Sequence, residues 1–353
     1  MSSMSVPPQG PASAGRPCIL VTGGAGYVGS HAVLELLDSG FRAVVLDNLV
    51  TGVPWVVDPR AAFVEGCVED DALVRRLLRD HDVRGILHFA GSTIAPESVR
   101  DPLKYYRNNT AASRSLLESA AAERVRHFVF SSTAAVYGWS GLDLVSEDCV
   151  PQPATPYGWS KLMTERMLAD VAESHSFNYC ALRYFNVAGA DPQGRAGSSN
   201  ANATHLINVA VKAALGKRRE VTVYGNDFAT PDGTGVRDYI HVSDLAVAHV
   251  LALEELLARP QRSHVLNCGY GRGHSVLEVL GAVSQEAGRP IPHVFGPRRP
   301  GDLDRVVADN RRLKERLAWR PRYDDLRAIV ADALRWEAHL RARGETTATL
   351  AKS

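Results

Sequence analysis

The chain predicts an α/β fold, a doubly wound parallel sheet with a second, smaller mixed α/β domain. Three observations carry this reading. Short apolar runs alternate with longer segments of helical period through the first half of the 353 residues, the rhythm of strand–helix–strand crossovers. The first run ends in a glycine-rich turn that opens a helix. Beyond Phe185 the alternation loosens, and Gly, Pro, Asn and Asp collect around 189–202 and 226–235.

Strands are expected, in order, at 18–22, 43–47, 61–65, 85–89, 126–131 and 178–184. Several are nearly continuous in Val, Ile, Leu and Phe, as strands covered on both faces are. Helices are expected between them at 27–38, 70–81, 104–123 and 156–174, and later at 204–215, 242–257, 276–287 and 324–340. Right-handed crossovers place a ligand at the carboxyl ends of such strands. The expected organisation is a flexible tail over 1–15, a Rossmann-type domain over 16–186, a second domain over 187–345 and a tail over 346–353. Some segments of the second domain are expected to return and pack on the first.

Apolar residues at 45% and charged residues at 22% are ordinary for a globular chain. Lys plus Arg exceed Asp plus Glu by 40 − 39 = 1, which argues against nucleic acid as a partner. The clusters Lys217-Arg218-Arg219 and Arg298-Arg299 read as solvated charge. Five cysteines (Cys18, Cys67, Cys149, Cys180, Cys268) show no CxxC and no zinc spacing, so they read as free thiols of a reducing, cytoplasmic compartment and not as a metal site. No apolar run approaches the roughly 20 residues of a membrane helix. Residues 1–15 lack the charged start and apolar stretch of a signal peptide.

CILVTGGAGYVGSH joins an apolar strand to a helix through Gly23, Gly26 and Gly29. The first glycine allows the tight turn, the second admits a pyrophosphate to the backbone, and the third lets helix and strand pack closely. The helix N-terminus then offers unpaired N–H groups to the anion. Asp47, ending the second strand, stands where a carboxylate accepts from the adenosine ribose hydroxyls, and no arginine adjoins it. That choice favours NAD over NADP.

Tyr157 and Lys161 lie i, i+4 at the start of a helix opened by Pro156, on one helical face. A free phenol, with a pKa near 10, is a poor base at neutral pH. An ammonium alongside, together with the positive nicotinamide ring of a bound cofactor, favours the phenolate and is expected to lower that pKa. Thr133 ends the strand that contains Phe130-Ser131-Ser132, where its hydroxyl faces the ligand edge. His88 and His241 sit singly in apolar segments and read as structural.

With these features in chain order, the sequence resembles the extended short-chain dehydrogenase/reductase family, and within it the UDP-glucose 4-epimerases. The matching segments are VTGGAGYVGSH, LDNL, ILHFAG, FVFSSTAAVYG, PYGWSKLMTE, LRYFNVAGA, YGND, DGTGVRDYIHVSDLA and RRPGDL, spread from about 18 to 340. The resemblance implies that Tyr157 takes the sugar 4-OH proton, that Lys161 tunes it and binds the nicotinamide ribose, and that Thr133 bonds the same hydroxyl. It implies cofactor contacts from Gly23, Gly26, Tyr27, Val28, Gly29, Asp47, Asn48, Val68, Phe89, Ala90, Gly91, Asn108, Lys161 and Phe185. For the UDP-sugar it implies Thr133, Tyr157, Asn186, His205, Leu206, Tyr224, Arg237, Arg299, Asp302 and Val306, with Tyr224 packing on uracil. Two arginines suit a diphosphate, since each guanidinium offers a planar fork of donors.

The implied chemistry is transient oxidation at C4 with bound NAD, rotation of the 4-keto sugar and return of the hydride to its other face. A homodimer is implied too, paired through the helices near 104–123 and 156–174. Cys67 stands where the family usually has Asp, near the adenine, and Thr93 where many members have Lys, near the cofactor phosphates. Both imply a looser hold on NAD. His205 replaces a common Asn beside the substrate phosphates. Val306 replaces a larger residue, often Tyr, leaving room for an N-acetyl group unless neighbours fill it. The alternatives are a UDP-pentose or UDP-N-acetylhexosamine 4-epimerase, and a non-catalytic sensing protein. A dehydratase needs an acid–base pair directly after Thr133, where this chain has Ala134 and Ala135.

Overall fold

The computed structural model describes residues 16–138, 144–200, 203–299 and 302–344. The tails expected over 1–15 and 346–353, residue 345, and Pro300 and Gly301 lie outside the described residues. The first half runs β1 (Cys18–Thr22), α1 (Tyr27–Asp38), β2 (Arg42–Asp47), β3 (Ala62–Glu65), α2 (Asp71–Asp80), β4 (Val83–His88), α3 (Ala95–Arg100) and α4 (Pro102–Tyr105). After a π-helical stretch (Tyr106–Ala111) come α5 (Ala112–Ala122), β5 (His127–Thr133), α6 (Pro156–Ser174) and β6 (Asn178–Tyr184). The second half continues with β7 (Asn186–Ala188), α7 (Leu206–Ala214), β8 (Val221–Tyr224), β9 (Val236–His241), α8 (Val242–Ala258), β10 (His264–Cys268) and β11 (Gly273–Ser275). It ends with α9 (Val276–Ala287), β12 (His293–Gly296), β13 (Arg305–Val306), α10 (Arg311–Leu317) and α11 (Leu326–Ala342).

Seven strands form one sheet in the order β10-β6-β5-β4-β1-β2-β3, with every pairing parallel. This is the Rossmann order, and it reverses between β1 and β4, where the crevice for a dinucleotide opens. Alternate residues of β1 face opposite layers. Ile19 and Val21 meet Leu245, Leu253 and Leu256 of α8, while Leu20 joins Val74, Leu116 and Leu168 from α2, α5 and α6. Chain from beyond residue 186 therefore returns to this layer. β10 pairs with β6 (His264↔Cys180), and α8 packs against α1.

The other lobe is organised on β9, which pairs β7, β11 and β13, with β8 and β12 as a separate pair. Ile207, Val211, Val279, Val283, Ile329 and Val330 from α7, α9 and α11 fill its core. Among the described residues, no helix is long and apolar enough to cross a membrane.

The helix expected over 104–123 runs without interruption from Pro102 to Ala122, as α4, the π-helical stretch and α5. Asp101 caps Lys104 N (3.3 Å) and Pro102 starts α4, and an X-Pro step disfavours a helix running through it. The π-helical stretch carries Asn109, whose side chain ties it to two other segments. That side chain accepts from Ser92 N (2.7 Å) and donates to Ser92 O (3.0 Å) and Ser160 Oγ (2.9 Å). Such bulges gather at functional sites.

Candidate active site

The glycine loop has no space for side chains. Gly23 holds φ +73°, and a Cβ there would stand 2.6 Å from Ala90 N; at Gly29 it would stand 2.2 Å from Gly23 O. Gly26 starts α1 without a side-chain cap, whereas Asp70, Thr155, His241, Ser275 and Asp325 cap α2, α6, α8, α9 and α11. The free N–H groups at Tyr27 and Val28 thus suit a pyrophosphate. The Tyr27 phenol itself donates to Gly189 O (2.7 Å).

Asp47 is buried, accepting from Ala25 N (2.9 Å) on one oxygen and from Leu49 N (2.8 Å) on the other. Each oxygen keeps a lone pair for a ribose hydroxyl. Asn48 reaches Cys67 Sγ (3.7 Å), and Val68 is buried in the cluster that contains Leu46. Phe89 N donates to Thr22 O (2.9 Å) and its ring lies 4.7 Å from that of His249. At Gly91 (φ +154°) a Cβ would fall 2.8 Å from Asn109 Oδ1 and 3.8 Å from Lys161 Nζ. Asn108 Nδ2 donates to Ser92 Oγ (3.0 Å). A cradle with so little room for a Cβ, beside the Lys161 ammonium, fits a closely held dinucleotide.

Across the crevice, Thr155 caps α6 through Gly158 N (3.3 Å), and a Cβ on Gly158 would meet Ala135 O at 2.6 Å. This seats the start of α6 on the 134–136 turn and places Tyr157 beside Thr133, its hydrogen-bond partner. Thr133 Oγ1 also accepts from Ala135 N (3.1 Å). The Tyr157 ring lies edge-on to Tyr105 at 6.2 Å.

Lys161 Nζ donates to Ser131 O (3.0 Å) and sits 4.8 Å over the Phe130 ring. Burial lowers its pKa to about 8, and the charge of Glu165 opposes that fall. Burial drives the Tyr157 phenol above its ordinary range, and the Thr133 hydrogen bond brings it only part of the way back. The lowered phenol expected from the sequence belongs to the site with the nicotinamide ring beside the lysine. The protein alone does the reverse, because the desolvation of a buried phenolate exceeds the stabilisation its neighbours provide.

Sequence reasoning missed the support beneath this pair. Glu165, one further turn along the Tyr157–Lys161 face, is buried against Arg183 of β6 in a bidentate pair (3.0 and 2.6 Å) and accepts from Ser132 Oγ. Arg183 Nη1 continues to Tyr137 OH (3.0 Å), and that hydroxyl donates to Asn267 Oδ1 (2.7 Å). The repeated i, i+4 spacing pointed to Glu165; nothing local pointed to Arg183.

The substrate-side residues gather on the β9 lobe. Arg237 is in register with Val306. Its Nη1 donates to Leu303 O (2.9 Å) and its Nη2 lies 3.5 Å from Asp302 Oδ1. Arg299 stacks over the Tyr224 ring at 3.8 Å. Asn186 pairs with Tyr239, following directly on buried Phe185. His205 and Leu206 open α7, which also lacks a side-chain cap. Val306 packs on the cluster of Val136, Tyr137, Val145, Phe185 and Ala308. His88 bonds Thr22 Oγ1 (2.6 Å) and Ser113 Oγ (2.9 Å). His241 Nδ1 accepts from Ser243 N (3.0 Å), so Nε2 donates to Asp332 (3.1 Å). Both are structural side chains.

A dinucleotide cradle facing a helix-borne Tyr-Lys pair is the build of a short-chain dehydrogenase/reductase. Within that class, the chain belongs to the NAD dependent epimerase/dehydratase family, whose pattern matches residues 19–269. A UDP-glucose 4-epimerase of Azospirillum brasilense is 50% identical over 328 residues, 93% of this chain and 94% of that one. A UDP-glucose 4-epimerase of Stenotrophomonas maltophila, solved with NAD and formylated UDP-arabinopyranose, superposes at TM-score 0.89 with 38% identity, over 93% of this chain and 100% of that one. The Bifidobacterium longum UDP-glucose 4-epimerase, solved with NAD+ and UDP, gives TM-score 0.87 at 36% identity, over 94% and 100%. NAD is the cofactor of this chain.

Proposed function

We propose that the chain interconverts UDP-glucose and UDP-galactose, on the observation that Tyr157 and Thr133 meet, buried, at the carboxyl edge of the sheet with Lys161 one turn away. NAD supplies reversible hydride acceptance at C4. Tyr157 Oη removes the 4-OH proton and returns it, while Thr133 Oγ1 orients that hydroxyl. Lys161 holds positive charge beside a phenol that burial would otherwise keep protonated. Arg237 and Arg299 anchor the diphosphate, and Tyr224, stacked under Arg299, offers its ring to uracil. Anchoring through UDP leaves the 4-keto sugar free to turn over. Ala134 and Ala135 provide no proton for an elimination at C5–C6. Asn186, His205, Leu206, Asp302 and Val306 complete the sugar-nucleotide side, and the glycine loop, Asp47, Asn48, Val68, Phe89, Ala90, Gly91, Asn108 and Phe185 complete the cofactor side.

Proton NMR of the protein with UDP-galactose tests the reading. UDP-glucose should appear, with added NAD if none is carried. Turnover of UDP-xylose or UDP-N-acetylglucosamine without UDP-galactose turnover would overturn it.

The homodimer reading draws support from an open groove of about 430 Å³ between the π-helical stretch and α6, lined by Tyr106, Thr110, Ala111, Arg114, Met163 and Met167. Trp159 and Met163 of α6 are exposed beside it, as is Leu103 of α4, just before the π-helical stretch. Met163→Glu should shift sedimentation from dimer to monomer; a parental profile would remove this face from the interface. A cytoplasmic site is supported by five unpaired thiols.

A further inference from the structure

The 48–61 connection from β2 to β3 passes directly over Asp47. A Cβ on Gly52 would stand 2.9 Å from Asp47 Oδ1, and Val53 N donates to Ala25 O (3.0 Å) in the glycine loop. Apart from one turn of 3₁₀ helix at Pro54–Val56 it has no regular structure, so its position depends on side-chain anchors. One is Arg60, bonded to Asp38 at the end of α1; the others come from the other lobe, from α11 and from Arg343 just after it. Trp55 stacks on Trp336, with centroids 5.8 Å apart at 24°, and the Arg343 guanidinium lies 4.4 Å over the Trp55 ring. Val53 and Val56 pack with Trp336, Leu340 and Ala190.

Trp336 is itself fixed. It is 3% exposed, donates Nε1–H to Ser198 O (3.2 Å) and stacks on His339 at 5.3 Å. A Cβ on Gly197 would meet its indole at 2.4 Å, so the indole has no room to shift. α11 is bound to its own lobe by packing on α7 and α9 and by the Asp332–His241 hydrogen bond (3.1 Å). A rigid element of one lobe thus holds an irregular loop of the other against the carboxylate that receives the cofactor ribose.

We propose that Trp55, Trp336 and Arg343 form a clamp through which the C-terminal helix keeps the Asp47 loop closed on NAD and sets how long the cofactor is retained. This rests on the reading of Asp47 as the ribose acceptor. The three side chains are positioning residues that act through the loop. Within its own lobe the loop is tied by Arg60 to Asp38 (2.8 Å), by Val53 N to Ala25 O and by Asn48 to the Cys67 thiol at 3.7 Å, a weak acceptor; the ring contacts tie it to the C-terminal helix.

The test compares Trp55→Ala, Arg343→Gln, Trp336→Ala and Trp336→Phe in the full chain, with Asp47→Ala as the control. NAD per protomer is measured after gel filtration, together with KM for NAD, kcat at saturating NAD and affinity for UDP. Trp55→Ala loses both ring contacts and should raise KM for NAD about tenfold, with kcat at saturating NAD and UDP affinity near parental. Arg343→Gln should give a smaller rise, and Trp336→Phe, which keeps a stacking ring, should restore most of what Trp336→Ala loses. Parental NAD retention in Trp55→Ala while Asp47→Ala sheds NAD would overturn the clamp. A joint loss of kcat and UDP affinity in Trp55→Ala would overturn it too, as a plain structural role. Parental retention in Asp47→Ala would instead remove the ribose assignment on which the clamp rests.

Discussion

Tyr157→Phe lowers kcat by roughly 10²–10⁴-fold, the usual contribution of a positioned general base, while UDP binds as before. The substitution deletes one oxygen and leaves the ring against Tyr105 in place. Thr133 keeps its bond from Ala135 N, so no buried partner is stranded and melting should be unchanged. Steady-state rates and UDP calorimetry on one preparation decide it; a variant with more than a tenth of parental kcat would move the proton chemistry elsewhere. The lysine makes a signed companion test. Burial holds the Tyr157 phenol high and lowers Lys161 to about 8. Removing the ammonium in Lys161→Met withdraws the charge that favours phenolate, so the rising limb of kcat against pH should move alkaline by about one unit or more. An unmoved or acid-shifted limb would deny Lys161 that role.

Breaking the ion pair under the site has the largest expected effect on stability. Glu165→Leu or Arg183→Leu alone should cost about 3–5 kcal/mol, because each strands the other charge in a dry interior. Both side chains are buried. Burial works against the Arg183 charge, and the hydrogen bond and field of Glu165 outweigh it. Glu165 also accepts from Ser132, and Arg183 reaches Tyr137. The double Leu variant should recover most of the loss, since an apolar pair of similar volume leaves no uncompensated charge. Denaturant midpoints of the two single variants and the double variant give the coupling. Losses that simply add would show that the pair is not a unit. The pair joins α6 to β6 one turn past Lys161, so the single variants should also lose activity through misplacement of Tyr157.

What could be read from the chain had local causes. Apolar runs mark β1, β2 and β6 because a strand buried on both faces has no polar alternation to disguise it. Gly23 and Gly29 are readable because the positive φ of the first and the Gly23 carbonyl against the second are local constraints. Tyr157 and Lys161 are readable because one helical turn fixes their relation. The state of the phenol in the bare protein was not, because depth of burial, a tertiary quantity, raises its pKa.

Other features depend on which distant segments meet. HVLNC at 264–268 looks like any short apolar run until it pairs with Cys180 to add a seventh strand. The helix expected over 104–123 carries a π-helical stretch in which the Asn109 side chain bonds to Ser92 and Ser160. Arg183 becomes a partner of Glu165 only when β6 docks under α6, and Trp55 meets Trp336 only when the C-terminal helix crosses to the other lobe. Periodicity, glycine sterics and i, i+4 geometry act over a few residues and so are written in the sequence. Pairings across tens to hundreds of residues, and the desolvation they impose on buried charges, exist only once the whole chain has closed around them.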